Sequence, residues 1–371
     1  MNNKKLAVYI DPPSTSQHFL NDKLFSYSGK LGDNLMAPYV ALQKFFTDRN
    51  IPIHTADLIP DKDDGQLKIY LSLGILNNYK KLSKRNDIII SSFFAMECPI
   101  VNPDQYKQIR DAQHYFKHIY SWSDSGSLER FIGDKIAIET FHWPQSYNQV
   151  HEEYWSNNDR GFLMMINSNK LPAIYWQELY TERMRAIEFF SRTNDIDLYG
   201  RGWNLPTNKM TNSNIPYTFL KWKYDFLKVW QRFFTPPLLV AARKAYKGEV
   251  DSKSEVMSKY NFTLCYENMI MKGWVTEKIF DCFFCGTIPV YLGSPDIEER
   301  IPNNCYIDRR KFKNDVELLI HLKSLTQSNI QNYKQNAKNF LKSKQFTPYS
   351  KENFVSTIVK IIELDSGIAL T

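Results

Sequence analysis

The sequence has no long apolar run. None of its hydrophobic stretches approaches the roughly 20 residues that a helix needs to cross a bilayer. The apolar run at the N-terminus, residues 6–10, is also too short for the core of a signal peptide. We therefore expect a cytoplasmic protein, or one bound peripherally at the inner face of a membrane.

Cysteine is scarce, with 5 among 371 residues. An odd number cannot all pair, which argues against the disulfide framework of a secreted domain. Cys282 and Cys285 form a CxxC pair, but neither a second such pair nor a nearby pair of histidines completes a zinc site. Because both fall within an apolar helical pattern, we interpret them as buried helix residues.

The charge balance is moderately basic. A formal net charge of +7 and a pI near 8.9 favour anionic partners, such as a nucleotide or an anionic membrane surface. The basic residues are scattered apart from one stretch, and no nucleic-acid-binding motif accompanies them, so nucleic acid is not an expected partner. A chain of 371 residues that is 43% hydrophobic predicts two domains, each with its own core.

Residues 259–295 have the clearest structural pattern. An apolar-aromatic strand at 262–266 is followed by a helix whose N-cap is Thr276 and by a second strand at 288–292. Gly286 stands where a left-handed C-cap is expected. The stretch therefore predicts a βαβ unit.

The beginning of this helix is a candidate anion site. The first amides of a helix are unpaired and its dipole is positive there, so the N-terminus attracts anions. Lys278 adds a full positive charge at the same place, beside the carboxylate of Glu277. A diphosphate would suit this arrangement; the alternative is that both are ordinary solvated residues of a first turn.

The same residues carry a family resemblance. YxFxLxYEN at 260–268, VTEK at 275–278 and GxIPVxxGxP at 286–295 resemble the donor-binding signature of the α-1,3/4-fucosyltransferases. The match is dense over about 259–312, with shorter matches at 97–103, 161–185 and 198–202.

This resemblance implies an α/β protein of the GT-B type, in which two Rossmann-like domains face a cleft. Residues 1–150 would form the acceptor domain and 151–345 the GDP-sugar-binding domain, with a C-terminal helix in 346–371 packing back on the first domain. Eukaryotic members of the family carry an N-terminal membrane anchor. Because none is present here, we expect a bacterial enzyme or an isolated catalytic domain.

The resemblance also assigns residues to the reaction. Glu97, after a predicted strand, matches the proposed general base of the family, although Cys98 replaces the usual serine that follows it. Arg185 is the second arginine of an Arg-x-Arg pair on a predicted helix and would contact the donor diphosphate. The ordinary alternatives are a loop acid or helix cap for Glu97 and a solvated surface arginine for Arg185.

Five further residues are assigned to the donor in the same way. Asn268 would contact the sugar or phosphate, Glu277 the donor hydroxyls, and Thr276 with Lys278 the diphosphate. Trp274 stands where relatives usually have tyrosine, which keeps an aromatic platform but loses a hydroxyl.

Two Asp-x-Asp pairs match the metal motif of many glycosyltransferases. They are Asp61-x-Asp63, in a polar turn, and Asp195-x-Asp197, directly before a predicted strand. The family that the chain resembles has a metal-independent fold, so we interpret both pairs as solvated acids. We therefore expect no metal, and no cofactor beyond the GDP-fucose donor substrate.

Residues 217–247 hold seven Lys or Arg against one Asp, interleaved with aromatic residues. That composition is typical of a helix lying on an anionic membrane or of an acceptor-docking lid. A core-facing helix with a basic edge is the equally weighted alternative.

The residues and the resemblance together predict an inverting, metal-independent fucosyltransferase. It would transfer L-fucose from GDP-β-L-fucose to a GlcNAc/Gal-containing glycan, in the synthesis of a bacterial surface polysaccharide or lipopolysaccharide. The alternatives are transfer of another GDP-linked 6-deoxysugar, a glycosyltransferase that uses a UDP-sugar, and a non-catalytic glycan- or nucleotide-binding protein.

Overall fold

The computed structural model describes residues 5–14, 16–26, 33–74, 77–157, 159–172, 174–209, 222, 225–226, 229–230 and 235–370. They form two compact units, one from Met1–Asn148 with Phe346–Thr371 and one from Gln149–Gln345. Each unit is built around a six-stranded parallel sheet. The predicted α/β class of the GT-B type, with two parallel-sheet units, is confirmed.

The first unit has the strand order β2-β1-β3-β4-β5-β6. Its strands are β1 (Leu6–Asp11), β2 (Ile53–Thr55), β3 (Leu67–Ser72), β4 (Ile88–Ala95), β5 (His118–Ser121) and β6 (Glu139–Thr140). Its helices are α1 (Ala37–Thr47), α2 (Tyr79–Leu82), α3 (Pro103–Ala112), α4 (Ser125–Ile132) and, from the end of the chain, α13 (Lys351–Ser366).

Helix α13 belongs to the core of the first unit. It contacts α1 and strands β3 and β4. Its side chains Phe354, Ile358 and Ile362 are almost fully buried there. Burial of each such side chain contributes roughly 1.5–3 kcal/mol, so this helix is a substantial part of the unit's stability.

The second unit has the order β11-β9-β7-β12-β13-β14. These strands are β7 (Gly161–Ile166), β9 (Asp197–Tyr199), β11 (Tyr246–Gly248), β12 (Tyr260–Tyr266), β13 (Ile288–Leu292) and β14 (Ile307–Asp308), and a separate pair is formed by β8 (Lys170–Leu171) and β10 (Asn208–Lys209). Its helices are α5 (Glu152–Trp155), α6 (Tyr180–Arg192), α7 (Pro237–Ala245), α8 (Lys253–Met257), α9 (Glu277–Cys285), α10 (Ile297–Arg300), α11 (Asp315–Ser324) and α12 (Gln327–Leu341).

Both sheets have a point at which the strand order reverses. In the first unit β2 lies on one side of β1 and β3 to β6 follow on the other, so the reversal lies between β1 and β3. In the second unit it lies between β7 and β12. In open parallel sheets, ligands bind beyond the carboxyl ends of the strands at such a switch point.

Local predictions for the βαβ unit agree with the structure. Thr276 is the N-cap of α9 and its side chain accepts a hydrogen bond from the Lys278 amide, while Gly286 ends the helix with φ of 69°. Cys282 and Cys285 are buried in this helix, and all five cysteines are free.

Two predicted stretches fall partly outside the described residues. They are the loop at 30–34 before α1, and much of the basic-aromatic segment 217–247. Among the helices that the structure describes, none is both long and apolar enough to cross a bilayer.

Candidate active site

The second unit contains a cavity of about 240 Å³ at its switch point. Ile166 and Asn167 line it from the end of β7, and Tyr266 and Asn268 from the end of β12. Helices α6, α8 and α9 supply further lining, and Lys170 adds to it from β8. The cavity is therefore where a parallel α/β unit is expected to hold a ligand.

A buried carboxylate fixes the start of α9. Glu267 follows β12 directly and is fully buried. It accepts hydrogen bonds from the Thr276 amide at 2.8 Å and from the Thr276 hydroxyl at 2.9–3.0 Å. The Lys278 ammonium donates to Glu267 at 3.1 Å. Glu267 thereby determines where the predicted helix N-terminus and its lysine lie.

Opposing effects set the charge states of Glu277 and Lys278. Burial alone would lower the pKa of Lys278, but the carboxylates of Glu267 and Glu277 outweigh it and raise that pKa above its usual value. Burial alone would raise the pKa of Glu277, but Lys278 and Lys253 outweigh it and lower that pKa. Both side chains are therefore charged at neutral pH.

The cavity wall has an excess of positive charge. Four cations, Lys170, Arg183, Lys253 and Lys278, line it together with two carboxylates, Glu277 and Asp281. The formal excess of two positive charges complements the roughly two negative charges of a diphosphate ester. The fully buried Glu267 behind Lys278 offsets part of this excess.

The arginine that reaches the cavity is not the one that the sequence indicated. Arg183 is 5% exposed and lies over the Tyr180 ring at 4.7 Å. It donates to the Tyr266 carbonyl at 2.7 Å and to the Asn268 side-chain oxygen at 2.9 Å. Asn268 itself lines the cavity, as predicted for a donor-binding residue.

Arg185 does not line this cavity. Its side chain is 66% exposed and pairs with Glu182, one turn earlier on α6. Two residues along an α-helix are about 200° apart around its axis, so Arg183 and Arg185 face opposite sides. The Arg183 side of α6 faces the sheet, so Arg183 lines the cavity and Arg185 does not.

Two other predicted donor residues, Thr276 and Trp274, are buried and do not line the cavity. Thr276 is 3% exposed and serves as helix cap and partner of Glu267. Trp274 is also 3% exposed, with its carbonyl accepting a hydrogen bond from the Tyr291 hydroxyl at 3.4 Å. Neither lines the cavity, so the structure gives no support to Trp274 as an aromatic platform for the donor sugar.

The loop after β7 packs so closely against Gly200 that no other residue fits at that position. At Gly200, φ is 116° and a Cβ atom would lie 2.1 Å from the Asn167 carbonyl oxygen. Only glycine allows this approach. It lets the Gly200–Gly202 turn pack against the Asn167–Ser168 loop, which forms one side of the cavity.

The first unit has a second cavity, of about 420 Å³, and Glu97 lies in its wall. Pro13 follows β1 and Gly74 follows β3, so this cavity also occupies a switch point. The Glu97 carboxylate accepts a hydrogen bond from the Cys98 amide at 2.8 Å. The Glu97 carbonyl accepts one from the Tyr106 hydroxyl at 2.6 Å. These two bonds hold the loop after β4.

The carboxylates of the second Asp-x-Asp pair are held by cations. Asp195 pairs with Lys323 at 2.7 Å. Asp197 accepts a hydrogen bond from Tyr260 at 2.7 Å and pairs with Lys247 at 3.2 Å.

Of the first pair, Asp63 lies near Asp64 and Asp87, and among the described residues these three could share one ion. Lys68 contacts both Asp64 and Asp87, at 2.5 Å and 2.9 Å. These residues lie at the amino ends of β3 and β4, whereas the cavity of the first unit lies at the carboxyl ends of the strands.

Comparison with known proteins finds a family model that matches part of this chain. Residues 239–360 match the model described as glycosyltransferase family 10 (fucosyltransferase), C-terminal part. The chain therefore contains a family 10 glycosyltransferase domain.

Two relatives in this family show how far the likeness extends. The α-(1,3)-fucosyltransferase FucT of Helicobacter pylori is 41% identical over 76 residues, which are 20% of this chain and 16% of the relative. The protein R654 of Acanthamoeba polyphaga mimivirus, also named a fucosyltransferase, is 33% identical over 256 residues, or 68% of this chain and 36% of that protein. The chain thus covers well under two thirds of either relative.

The fold has a counterpart among solved structures. Anabaena Alr3699/HepE, solved in complex with UDP, aligns with 97% of this chain and 100% of its own at a TM-score of 0.50. At 9% identity the likeness concerns the fold alone.

Glu267, Arg183, Lys253 and Asp281 were not assigned roles from the sequence. Glu267 belongs to the YEN part of the fucosyltransferase signature, and Lys278 ends the VTEK part. The sequence could therefore have predicted that these two residues pair. Lys253 and Asp281 carry no such signal, because only the packing of α8 on α9 brings them together.

Proposed function

We propose that this chain is a glycosyltransferase that takes fucose from GDP-fucose. The observation that carries the proposal is the cavity in which Arg183, Asn268 and Lys278 meet the N-terminus of α9 within the family 10 domain. A helix N-terminus with two cations is suited to a diphosphate. The fucosyltransferase names of the relatives support the sugar.

In the proposed reaction an acceptor hydroxyl attacks the anomeric carbon of the donor. The new carbon–oxygen bond forms as the bond to the phosphate oxygen breaks, and GDP leaves with the electron pair. Attack from the side opposite GDP inverts the anomeric centre. The proton of the acceptor hydroxyl goes to Glu97, which would act as general base.

The chain's own cations would stabilise the leaving group. Lys278 and Arg183 offer charge-assisted hydrogen bonds to the phosphate oxygens, on which negative charge grows in the transition state. Because these side chains are held before the donor binds, little reorganisation accompanies the reaction. On this proposal the reaction needs no metal ion.

The acceptor we propose is a hydroxyl of a glycan that contains GlcNAc or Gal. Its support is the resemblance to the α-1,3/4-fucosyltransferases and the likeness to the Helicobacter pylori enzyme. Synthesis of a bacterial surface polysaccharide or lipopolysaccharide is the process that such an acceptor suggests.

The first experiment is calorimetric titration with GDP and with UDP, each with and without EDTA. We expect GDP to bind at micromolar strength, more tightly than UDP, and EDTA to have no effect. A radiolabelled transfer assay with GDP-fucose and an N-acetyllactosamine acceptor then tests turnover. Preference for UDP would contradict the proposed donor, and binding that needs a divalent ion would contradict the metal-free mechanism.

We also propose that the chain contacts an anionic membrane surface. Trp222, Phe226 and Trp230 are spaced at one helical turn and are 65%, 55% and 51% exposed. Their rings stack in sequence with centroids 6.1 Å apart. Aromatic residues on one helix face, in a segment rich in Lys and Arg, suit the headgroup region of a bilayer at the inner face of a membrane.

Vesicle co-sedimentation tests this contact. Replacing the three aromatic residues by alanine should reduce binding to anionic vesicles and leave the low binding to neutral vesicles unchanged. Tyr175→Ala, which removes a similarly exposed ring in the same unit, is the matched control. Equal binding by the triple variant and the control would contradict the membrane contact.

A further inference from the structure

The donor cavity contains a carboxylate that the proposed reaction leaves without a role. Asp281 lies on the face of α9 that carries Glu277 and Lys278, about one turn, or 5.4 Å, further along the helix. Its side chain is 24% exposed and lies 3.6 Å from the ammonium of Lys253, at the start of α8. Both residues line the cavity.

A carboxylate at this distance from a phosphate site has a specific chemical requirement. It repels a diphosphate, and it can only accept hydrogen bonds. Lys253 balances its charge, so Arg183 and Lys278 keep their positive excess for the anion. The two oxygens of Asp281 are then suited to a ligand that brings hydroxyl groups rather than further negative charge.

Nucleotide sugars present such hydroxyls next to the diphosphate. A carboxylate that accepts hydrogen bonds from ribose hydroxyls is a common device in parallel α/β nucleotide sites. The transferred sugar, on the other side of the diphosphate, also has adjacent hydroxyls. Either sugar lies about one helical turn from the phosphates, which is the offset between Lys278 and Asp281.

We propose that Asp281 determines donor specificity by binding two adjacent hydroxyls of one of these sugars. The proposal rests on the proposed function, because it requires a sugar nucleotide in the same cavity. Lys253 acts as a positioning residue, which holds the carboxylate and neutralises its charge. Loss of a ligand hydroxyl would remove the hydrogen bond that this hydroxyl donates to Asp281.

The experiment pairs a protein change with a ligand change. Wild type and Asp281→Asn are titrated with GDP, 2′,3′-dideoxy-GDP and GDP-fucose. If the ribose is the partner, Asp281→Asn weakens GDP binding about ten- to hundredfold and leaves binding of the dideoxy nucleotide unchanged. If the transferred sugar is the partner, GDP binding is unchanged and GDP-fucose binding weakens by that factor.

Controls separate contact from structure. Glu255→Gln changes a carboxylate on the same helix as Lys253, but that carboxylate pairs with Lys259 at 2.8 Å outside the cavity. It should bind all three ligands like wild type, and thermal melting checks that both variants fold.

Equal weakening of all three ligands by Asp281→Asn, or no weakening of any, would overturn the proposal and leave Asp281 as a bridge between α8 and α9. If wild type binds no nucleoside diphosphate, the proposed function itself fails. Normal binding by wild type without discrimination of hydroxyls contradicts only the role of Asp281.

Discussion

The two cavities occupy equivalent places in two similar sheets, yet their chemistry differs. Each lies beyond the carboxyl ends of the strands at a switch point. The cavity of the second unit is lined by four cations and two carboxylates. The cavity of the first unit is larger and mainly apolar, with Glu97 as its one charged residue among the described lining.

Each unit also has a buried carboxyl group near its switch point, and the two groups differ in the charge of their partners. In the second unit, Glu267 follows β12 and is paired with a cation, Lys278. In the first unit, Asp11 ends β1 and, in the part of the chain that the structure describes, accepts hydrogen bonds from neutral groups only. The Tyr70 hydroxyl donates one, and the Asn78 side-chain amide donates to both carboxylate oxygens, at 2.9 and 3.1 Å. The strand ends beside a switch point can therefore hold a preorganised anion site or a carboxyl group that must avoid its charge.

The largest expected effect tests the first cavity through Glu97→Gln. The amide keeps the shape of the side chain and can still accept from the Cys98 amide, but it takes up no proton. Turnover should fall about 10²–10⁴-fold, the usual contribution of a general base. GDP affinity, measured by calorimetry, should be unchanged. Equal turnover in the variant would remove Glu97 as the base and with it the division of labour between the cavities.

The next effect tests the second cavity through Lys278→Met. Removing the cation leaves Glu267 buried without its charged partner, which typically costs about 3–5 kcal/mol of folding free energy. GDP affinity should also fall, because an ammonium on the phosphate site is lost. Urea denaturation and calorimetry measure the two effects separately.

The double variant Lys278→Met with Glu267→Gln separates stability from binding. Stability should recover, since the buried charge is gone, whereas GDP affinity should stay low. If stability and GDP affinity recover together, Lys278 does not contact the nucleotide directly, and its loss lowers affinity only by disturbing the folded structure.

A smaller effect is expected from Asp11, the buried carboxyl group of the first unit, on how folding stability depends on pH. Burial raises the pKa of Asp11 from 3.8 to about 6, and the hydrogen bonds from Tyr70 and Asn78 offset only part of that rise. Between these two pH values the folded state binds the proton more tightly than the unfolded state. The stabilisation that protonated Asp11 contributes is thus complete below about pH 3.8 and is lost as pH rises through about 6. The free energy of unfolding should fall by about 3 kcal/mol in all over this range.

Asp11→Asn should abolish this loss. Urea denaturation over about pH 4 to 7 should show the stability of wild type, relative to the variant, falling as pH rises. Asp48→Asn removes an exposed carboxylate at the C-cap of α1 and controls for the change in net charge. A constant difference between wild type and Asp11→Asn would mean that the fold does not raise the pKa of Asp11.

The features that the sequence predicted correctly depend on neighbours along the chain. The cap at Thr276, the glycine end of α9 at Gly286 and the strands on either side follow from patterns within a few residues. The α/β class follows from the alternation of such elements. Asn268 and Lys278 line one cavity, and their roles toward a donor stay predictions that rest on the family signature.

The features that it missed depend on packing across the fold. The role of Glu267 appears only when β12 and α9 are brought side by side, and Asp281 meets Lys253 only through the contact of two helices. The cavity of the first unit requires the strand order, which no local pattern contains. Arg185 was chosen over Arg183 because a helical pattern gives the spacing of residues but not which side faces the sheet.

The smallest effect tests that last distinction with two matched substitutions on one helix. Arg183→Lys keeps the charge but loses the planar group that lies over Tyr180 and donates to both Tyr266 and Asn268. Lysine cannot reproduce those simultaneous bonds, so GDP affinity should fall about tenfold. Arg185→Lys changes an exposed side chain paired with Glu182 and should leave affinity unchanged. The reverse result, a loss at Arg185 with none at Arg183, would return the diphosphate contact to Arg185. It would also mean that α6 turns its other face to the nucleotide when the donor binds.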